Sequence, residues 1–329
     1  FLYGAPMNGA KAEISVTRSP SYFSVPGAET FEISDSAYQS DLPNKSPRSS
    51  DVVSNDVSLD SSGAASASAK LDMPGQVGTE QLTANVDVTD VTRQVISSGT
   101  TAIVHPAEHY AGIELESRFV DAKTKLSPKF AALRPKGERV AGAALKVELI
   151  KRVWTVAKQG SGLTSVTTVS TPVDTVAASC ALVSAKTPVG CDLTPQEAGQ
   201  YIVRVSSEDQ RKNAVSASVR VYVSGESSSQ LSAFSESDRT EVELVTDKKS
   251  YKVGDKARVL VKSPWRGADA IVTVERAGVF SQRRIKLFGA APAIDLPITE
   301  EMRPNAFVSV VVLKARGKAC LLYTSDAAD

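Results

Sequence analysis

Apolar and polar residues alternate with a period of two along much of the chain. In the clearest run, Val215, Ala217, Val219, Val221 and Val223 alternate with Ser216, Ser218, Arg220 and Tyr222. Residues 145–149 and 257–262 repeat the pattern. Because successive side chains of a strand point to opposite faces, each run predicts a strand with one face on a core and the other in water. Apolar residues at helical spacing are hard to find, so the pattern predicts an all-β chain of antiparallel β-sandwiches.

Turn residues separate the predicted strands. Gly9, Gly199 and Gly254 each lie just before a predicted strand, as expected for short antiparallel strands joined by tight turns. Tyr201 opens the strand that follows Gly199. Sandwich domains often place a tyrosine there whose hydroxyl bonds to an upstream backbone group.

The pattern divides the chain into blocks. A length of 329 residues exceeds one sandwich and suits three modules of roughly 100 residues each. We expect a partial sandwich at 1–113, a sandwich at 114–225, a Ser-rich linker at 226–238, a partial sandwich at 239–317 and a tail at 318–329. The third module has predicted strands at 241–245, 257–262, 268–275 and 307–313 and lacks at least one closing strand.

A Ser/Asp/Ala-rich stretch at about 34–70 interrupts the strands of the first module. It includes the run Ser-Ser-Gly-Ala-Ala-Ser at 61–66. Such a composition buries too little apolar surface to offset the entropy of ordering. The stretch is therefore predicted to be a disordered insertion.

Both ends suggest an incomplete chain. It starts at Phe1 without an initiator Met or a signal peptide, so we expect the N-terminus to be a cut. Residues 318–329 abandon the strand-and-turn rhythm and resemble translated adapter read-through from sequencing. We therefore expect that tail to be non-native.

Charge excludes one class of partner. The chain has 38 Lys+Arg against 37 Asp+Glu, and no window is dominated by one sign, so no nucleic-acid surface is implied. No run approaches the roughly 18 apolar residues of a spanning helix. Membrane association would then depend on a lipid anchor outside this chain.

Two of the three cysteines can pair. Cys180 and Cys191 flank a Pro-Val-Gly segment that is predicted to turn between two extended runs. We expect a disulfide there, worth roughly 2 to 3 kcal/mol on the loop-entropy model, with two buried free thiols as the alternative. A disulfide requires an oxidising compartment.

The third module carries the most specific signal. It reads YKVGDKA at 251–257, SPWRGA at 263–268, VTVERAGV at 272–279 and ITEEMRPNAFVSV at 298–310. Pro264 and Gly267 are predicted to close a hairpin. The series resembles the bait-region-bearing macroglobulin module of bacterial alpha-2-macroglobulins. In the first module, LYGAPMNGA at 2–10 and VTDVTRQ at 88–94 are similar to motifs of an upstream module of the same family.

This resemblance implies macroglobulin-type sandwiches, similar to fibronectin type III domains, and a function. Such proteins present a protease-sensitive bait whose cleavage triggers enclosure of the protease, and many carry an internal Cys-Gln thioester. The resemblance places the bait just beyond Leu313. No cysteine of this chain lies in a Cys-x-Glu-Gln motif, so the resemblance assigns no thioester to it and leaves these modules as scaffold.

Few residues suggest chemistry. His105 and His109 have a zinc-like i, i+4 spacing, but Pro106 argues against the helix that would align them. A Ser/His/Asp triad would have to be built around one of these two histidines. Glu300-Glu301, or Asp121 with Glu138, are more simply solvated surface carboxylates. Residues 207–213 would be cut by trypsin-like proteases if exposed, as an ordinary loop or as a bait.

The sequence thus predicts no enzyme, no catalytic or metal-binding residues and no cofactor. The resemblance implies a periplasmic or extracellular scaffold from an endopeptidase inhibitor, whose partners are target proteases rather than nucleic acid or small-molecule substrates. The alternative is a stalk of Ig-like sandwiches from an extracellular adhesin or surface protein.

Overall fold

The computed structural model describes residues 6–42, 50–68, 78–90, 92–160, 166–225, 233–234, 241–248, 250–263, 265, 267–289 and 291–313. Within these residues the regular structure consists of strands β1 to β19, one four-residue helix and one 3-10 turn. The predicted all-β fold class is therefore confirmed. No helix in this part of the chain is long and apolar enough to cross a membrane.

The first module contains a single antiparallel sheet. Its strands are β1 (Lys11–Pro20), β2 (Ser50–Ser58), β3 (Glu80–Thr89) and β4 (Val95–Val104), in the order β2-β1-β3-β4. One face is largely apolar, because Ala12 pairs with Val57 and Val88, and Val16 pairs with Val53 and Ala84. Among the described residues, the strands of this module form this one sheet.

The predicted disordered insertion at 34–70 is wrong for part of its length. Helix α1 (Ser36–Gln39) and strand β2 both fall inside it. Because β2 pairs through its backbone with β1, a strand poor in apolar residues can still be held in the sheet. Residues 43–49 and 69–70 of the stretch lie outside the described residues.

The second module is a complete sandwich. One sheet has the order β10-β9-β12-β13-β6 and the other β11-β7-β5, with β8 paired to β7. The strands are β5 (Tyr110–Glu114), β6 (Phe119–Asp121), β7 (Lys129–Leu133), β8 (Arg139–Val140), β9 (Ala144–Gly160), β10 (Val166–Val183), β11 (Val189–Gly190), β12 (Gly199–Glu208) and β13 (Ala214–Ser224). The alternating run predicted at 215–223 is β13, and its core face is buried.

Two details of the second module bear on the predictions. The predicted boundary between residues 113 and 114 falls inside β5, which starts at Tyr110 and belongs to this module. Tyr201 is the third residue of β12, whose pairing with β13 already starts at Gly199, and its Oη donates to the carbonyl oxygen of Glu197 at 2.9 Å. The expected tyrosine-to-backbone bond is therefore confirmed.

The third module is a smaller sandwich of two three-stranded sheets, ordered β14-β15-β18 and β17-β16-β19. The strands are β14 (Leu244–Thr246), β15 (Lys256–Val261), β16 (Asp269–Glu275), β17 (Val279–Lys286), β18 (Ala293–Pro297) and β19 (Phe307–Leu313). The hairpin predicted at 264–267 includes Pro264, which lies outside the described residues. The strands on either side, β15 and β16, belong to different sheets. Strand β17 was not predicted, and nearly every one of its residues is exposed.

The segment around α1 leaves the first module and lies on the outer face of the five-stranded sheet. Arg152 of β9 is fully buried there, and its guanidinium donates to both oxygens of Asp174 at 2.7 and 2.8 Å. It also donates to Asp41 Oδ2 at 2.9 Å and to the carbonyl oxygen of Tyr38 at 3.0 Å. Burial alone would lower the pKa of Arg152, but hydrogen bonds to Asp174 and Asp41 outweigh it and hold the pKa above its usual value.

Two more arginines hold the α1 segment, and with Arg152 they form a cluster that we call the arginine clamp. Arg204 pairs with the buried carboxylate of Asp35 at 2.8 Å and lies 4.2 Å from the centre of the Tyr38 ring. Arg220 pairs with Asp41 at 2.8 Å. The second module therefore fixes the path of the chain that leads out of the first sheet.

Candidate functional site at the junction of the second and third modules

The third module ends on a well-anchored edge strand. Strand β19 pairs with β16 along its whole length, from Phe307 opposite Glu275 to Leu313 opposite Asp269. Val308, Val310 and Val312 pack against the module's core, whereas the alternate residues are exposed. The chain beyond Leu313, where the family resemblance places the bait, therefore starts from a fixed strand at the edge of a sheet.

A compact apolar joint connects this module to the second one. Phe119 of β6 and Tyr222 of β13 meet Leu260 of β15, Phe234 and Ala291. Leu260 is fully buried, and Tyr222 and Phe234 have their ring centres 6.3 Å apart. Burial of this kind excludes water from the contact and favours one relative placement of the two modules.

The prediction of a Ser-rich linker at 226–238 missed this joint. Only residues 233–234 of that stretch are described, and both are buried, with Ala233 at 3% and Phe234 at 4% exposure. A flexible linker would leave them in water. The signal available in the sequence was an apolar pair inside a stretch that is otherwise rich in serine.

Charged groups surround the apolar joint. Arg258 of β15 donates through Nη2 and Nη1 to the two oxygens of Asp121 at 2.9 and 3.2 Å. Ser224 Oγ donates to the same carboxylate. The hydrogen bond from Arg258 lowers the pKa of Asp121 most, and the hydrogen bond from Ser224 lowers it further. The Asp121–Arg258 pair therefore remains charged at neutral pH. The Arg258 guanidinium also lies 5.3 Å from the centre of the Phe119 ring, within the range of a cation–π contact.

The two modules approach each other closely at one glycine. Gly289 has a φ of +81°, and a Cβ built there would lie 2.9 Å from the carbonyl oxygen of Gly225. A side chain at position 289 would push the backbones apart, so the contact requires a residue without a Cβ.

Cys180 and Cys191 form a disulfide, with Cα atoms 6.8 Å apart. The sequence predicts that the two cysteines flank a turn between two extended runs, but the strands next to them belong to different sheets. Cys180 lies in β10 of the five-stranded sheet, and Cys191 directly follows β11 of the facing sheet. The disulfide therefore links the two sheets of the second sandwich across its core.

The histidines occupy the loop between β4 and β5, as the proline between them predicted. His105 Nδ1 lies 2.7 Å from Tyr110 Oη. His109 Nε2 lies 3.0 Å from Ser207 Oγ, which itself donates to the carbonyl oxygen of Ala144 at 2.9 Å. Burial lowers the pKa of His109 and raises that of Tyr110 to about 12.

In the described residues, the contact between His109 and Ser207 comes nearest to a hydrolase triad. The histidine donates to the serine instead of accepting its proton. Ser207 is 5% exposed, and its proton is committed to Ala144, so His109 acts as donor to Ser207 rather than as its base. The carboxylate of Asp209 accepts hydrogen bonds from the backbone N–H groups of Arg211 and Asn213 rather than from His109. The arrangement supplies neither an exposed nucleophile nor an oriented base.

The other candidate residues do not assemble into a site. Asp121 is paired with Arg258, and Glu300 pairs with Arg303 on the surface. Among the described residues, no group of three or more His, Cys, Asp or Glu side chains is placed to hold a metal ion.

Comparisons with known proteins agree with the sequence resemblance. Residues 242–324 match the family model of the alpha-2-macroglobulin bait region domain. Over 322 residues, 95% of this chain, the sequence is 27% identical to an alpha-2-macroglobulin homolog of Nostoc sp.. The chain spans only 16% of that relative's length.

Among solved structures, one that aligns with a TM-score above 0.5 supports the fold. The native conformation of E. coli alpha-2-macroglobulin aligns with 95% of this chain and 21% of its own, with a TM-score of 0.51 and 18% identity. Salmonella alpha-2-macroglobulin reacted with methylamine aligns with 94% of this chain and 21% of its own, with a TM-score of 0.49 and 17% identity. The predicted resemblance to bacterial alpha-2-macroglobulins is therefore confirmed, and the match to the bait region domain starts in the third module.

Proposed function

We propose that this chain is a segment of an endopeptidase inhibitor that encloses proteases after they cut a bait, and that its three modules form the scaffold carrying that bait. The observation that carries the proposal is the match of residues 242–324 to the bait region domain. An adhesin stalk would also stack sandwiches, but it gives no reason for a bait region domain.

The joint between the second and third modules gives this scaffold a mechanical role. A bait cut after Leu313 changes the chain at the end of β19, and the core-facing valines of that strand connect it to the third module. The apolar joint and the Asp121–Arg258 pair then connect that module to the second. We expect the two modules to move together when the bait is cut.

The proposed role involves binding and enclosure rather than catalysis. The buried contact between His109 and Ser207 lacks the roles of a hydrolytic pair, and none of the cysteines lies in a Cys-x-Glu-Gln motif. Target proteases are the proposed partners. The disulfide between Cys180 and Cys191 supports an oxidising location, in the periplasm or outside the cell.

Mapping the first cut tests the proposal. The full-length protein encoded by the gene is treated with substoichiometric trypsin or elastase, and the products are identified by mass spectrometry. We expect the first cut to fall beyond Leu313 within the bait region domain. A first cut inside residues 6–313, at every protease tried, would contradict the proposal. As a control, the isolated chain should not inhibit the same proteases, because a scaffold segment cannot enclose them.

A further inference from the structure

Three five-residue turns share one hydrogen-bonding pattern, at 60–64, 90–94 and 209–213. The first residue of each is an aspartate whose N–H donates to the carbonyl of the fifth residue and whose carbonyl accepts from the N–H of the fourth, at 2.9 to 3.1 Å. The fourth residue has a positive φ in every case: +77° at Gly63, +67° at Arg93 and +66° at Lys212.

The aspartate side chain closes each turn from inside. One carboxylate oxygen accepts from the backbone N–H groups of the third and fifth residues, at 2.7 to 2.9 Å. Hydrogen bonds to a charged acceptor are roughly twice as strong as neutral ones. The carboxylate therefore contributes directly to keeping the turn closed.

Two of the three turns expose basic residues. The turn at 90–94 joins β3 to β4 and exposes Arg93. The turn at 209–213 joins β12 to β13, and the side chains of Arg211 and Lys212 are 67% and 84% exposed. Exposed loop tips are preferred sites of proteolytic nicking, and trypsin selects basic residues. Both turns would be expected to be cut first.

The geometry of the turns opposes that cleavage. A protease binds its substrate as an extended segment, so the turn must open, and cleavage then follows the population of the open form when opening is fast. The positive φ of Arg93 and Lys212 favours opening, because a residue with a Cβ is strained there, whereas the turn at 60–64 uses a glycine. The carboxylate offsets this strain in the two basic turns.

We infer that Asp90 and Asp209 brace the exposed basic turns 90–94 and 209–213 against trypsin-like proteases. The purpose of this resistance rests on the proposed function: a protein that reports a protease through one cut in its bait must avoid earlier cuts in its scaffold. The resistance itself is a property of this chain and can be measured without any trapping assay.

Asp90 and Asp209 differ in the further hydrogen bonds that their carboxylates accept. Asp90 also accepts from Thr92 Oγ1 at 2.7 and 2.9 Å and remains on the surface. Asp209 is buried and also accepts from the backbone N–H of Glu108 at 3.1 Å and from Asn213 Nδ2 at 2.8 Å. Removing Asp209 therefore loosens the loop before β5 as well, and Asp90 gives the cleaner test.

A time course of trypsin digestion tests the inference on the purified chain. Asp90→Ala should accelerate cleavage after Arg93 by about tenfold, which corresponds to about 1.4 kcal/mol of lost turn stability, without changing cleavage after Arg211 or Lys212. Asp209→Ala should show the converse. Circular dichroism melting of each variant checks that the whole chain stays folded.

Asp60→Ala is the matched control, because its turn has the same bonds and no basic residue. It should leave the tryptic pattern unchanged and expose the turn to elastase, which cuts after small residues such as Ala64. Early tryptic cleavage of the unsubstituted chain after Arg93 would overturn the inference. So would an Asp90→Ala variant that melts normally and is cut after Arg93 no faster than the unsubstituted chain. Either result would leave the proposed function to be decided by the position of the bait cut.

Discussion

Arg152 is the central residue of the arginine clamp that holds the α1 segment on the second module, and Arg152→Met is its most informative substitution. Methionine keeps most of the apolar stem and removes the guanidinium. The variant leaves Asp174 without its bidentate partner and deprives Asp41 and the carbonyl of Tyr38 of one donor each.

The expected cost follows from what remains buried. Removing one partner of a buried ion pair typically costs about 3 to 5 kcal/mol, because the other charge is left uncompensated. The carboxylates of Asp174 and Asp41 retain 24% and 17% side-chain exposure, and Asp41 keeps its pair with Arg220. Water can therefore compensate in part, and we expect a loss of about 3 kcal/mol, at the lower end of this range.

Urea unfolding followed by tryptophan fluorescence can measure this loss. Trp154 lies two residues after Arg152 on β9 and is 7% exposed, and a Trp265→Phe background would leave it as the only tryptophan. The signal then reports the second module. Asp174→Asn added to Arg152→Met removes the stranded charge and should recover part of the stability.

The neighbouring Lys151 supplies the control. Its ion pair with Glu197 is short, at 2.6 Å, but the two side chains are 17% and 36% exposed. We expect Lys151→Met to cost less than about 1 kcal/mol, as pairs open to solvent do. Equal losses for the two substitutions would refute the argument that burial of Arg152 makes the arginine clamp strong.

Three further predictions follow from the second and third modules. Reduction of the disulfide should lower the unfolding free energy of the second module by about 2 to 3 kcal/mol, and a Cys180→Ser, Cys191→Ser variant should show the same loss and no response to reductant. Burial lowers the pKa of His109 below its usual 6.5. The free energy of unfolding should therefore be highest above about pH 6.5 and fall as the pH drops through the folded pKa. His109→Gln should flatten this pH profile, as measured by urea unfolding at about pH 7 and pH 5. Leu260→Ala should cost about 2 to 5 kcal/mol and separate the thermal transitions of the two joined modules, whereas the exposed Val311→Ala should change the melting profile little.

The strand pattern of the chain could be read from its sequence because alternation is a local property. The run 215–223 predicted the core face of β13, and Gly199 predicted the start of the strand that carries Tyr201. In each case the residues that define the element are neighbours along the chain. The family resemblance added the position of the bait region domain.

The pairing of strands was harder to predict because it depends on residues far apart. Alternation shows which side chains share a face and gives no information on which strand lies alongside. This is why β2 was missed within a Ser/Asp-rich stretch. It is also why turns were predicted at 188–190 and 264–267, although the neighbouring strands, β10 and β11 in the first case and β15 and β16 in the second, belong to different sheets. Phe234 was missed because its packing partners belong to two different modules.

The most direct test of the account is physical enclosure of a protease by the full-length protein. The protein is mixed with trypsin, and two activities are followed: hydrolysis of a small chromogenic peptide and digestion of a large protein substrate. The account predicts that, after the bait is cut, trypsin co-migrates with the protein on size exclusion and retains peptide hydrolysis while losing activity on the large substrate. Trypsin that elutes alone with both activities intact, after cleavage beyond Leu313, would contradict it.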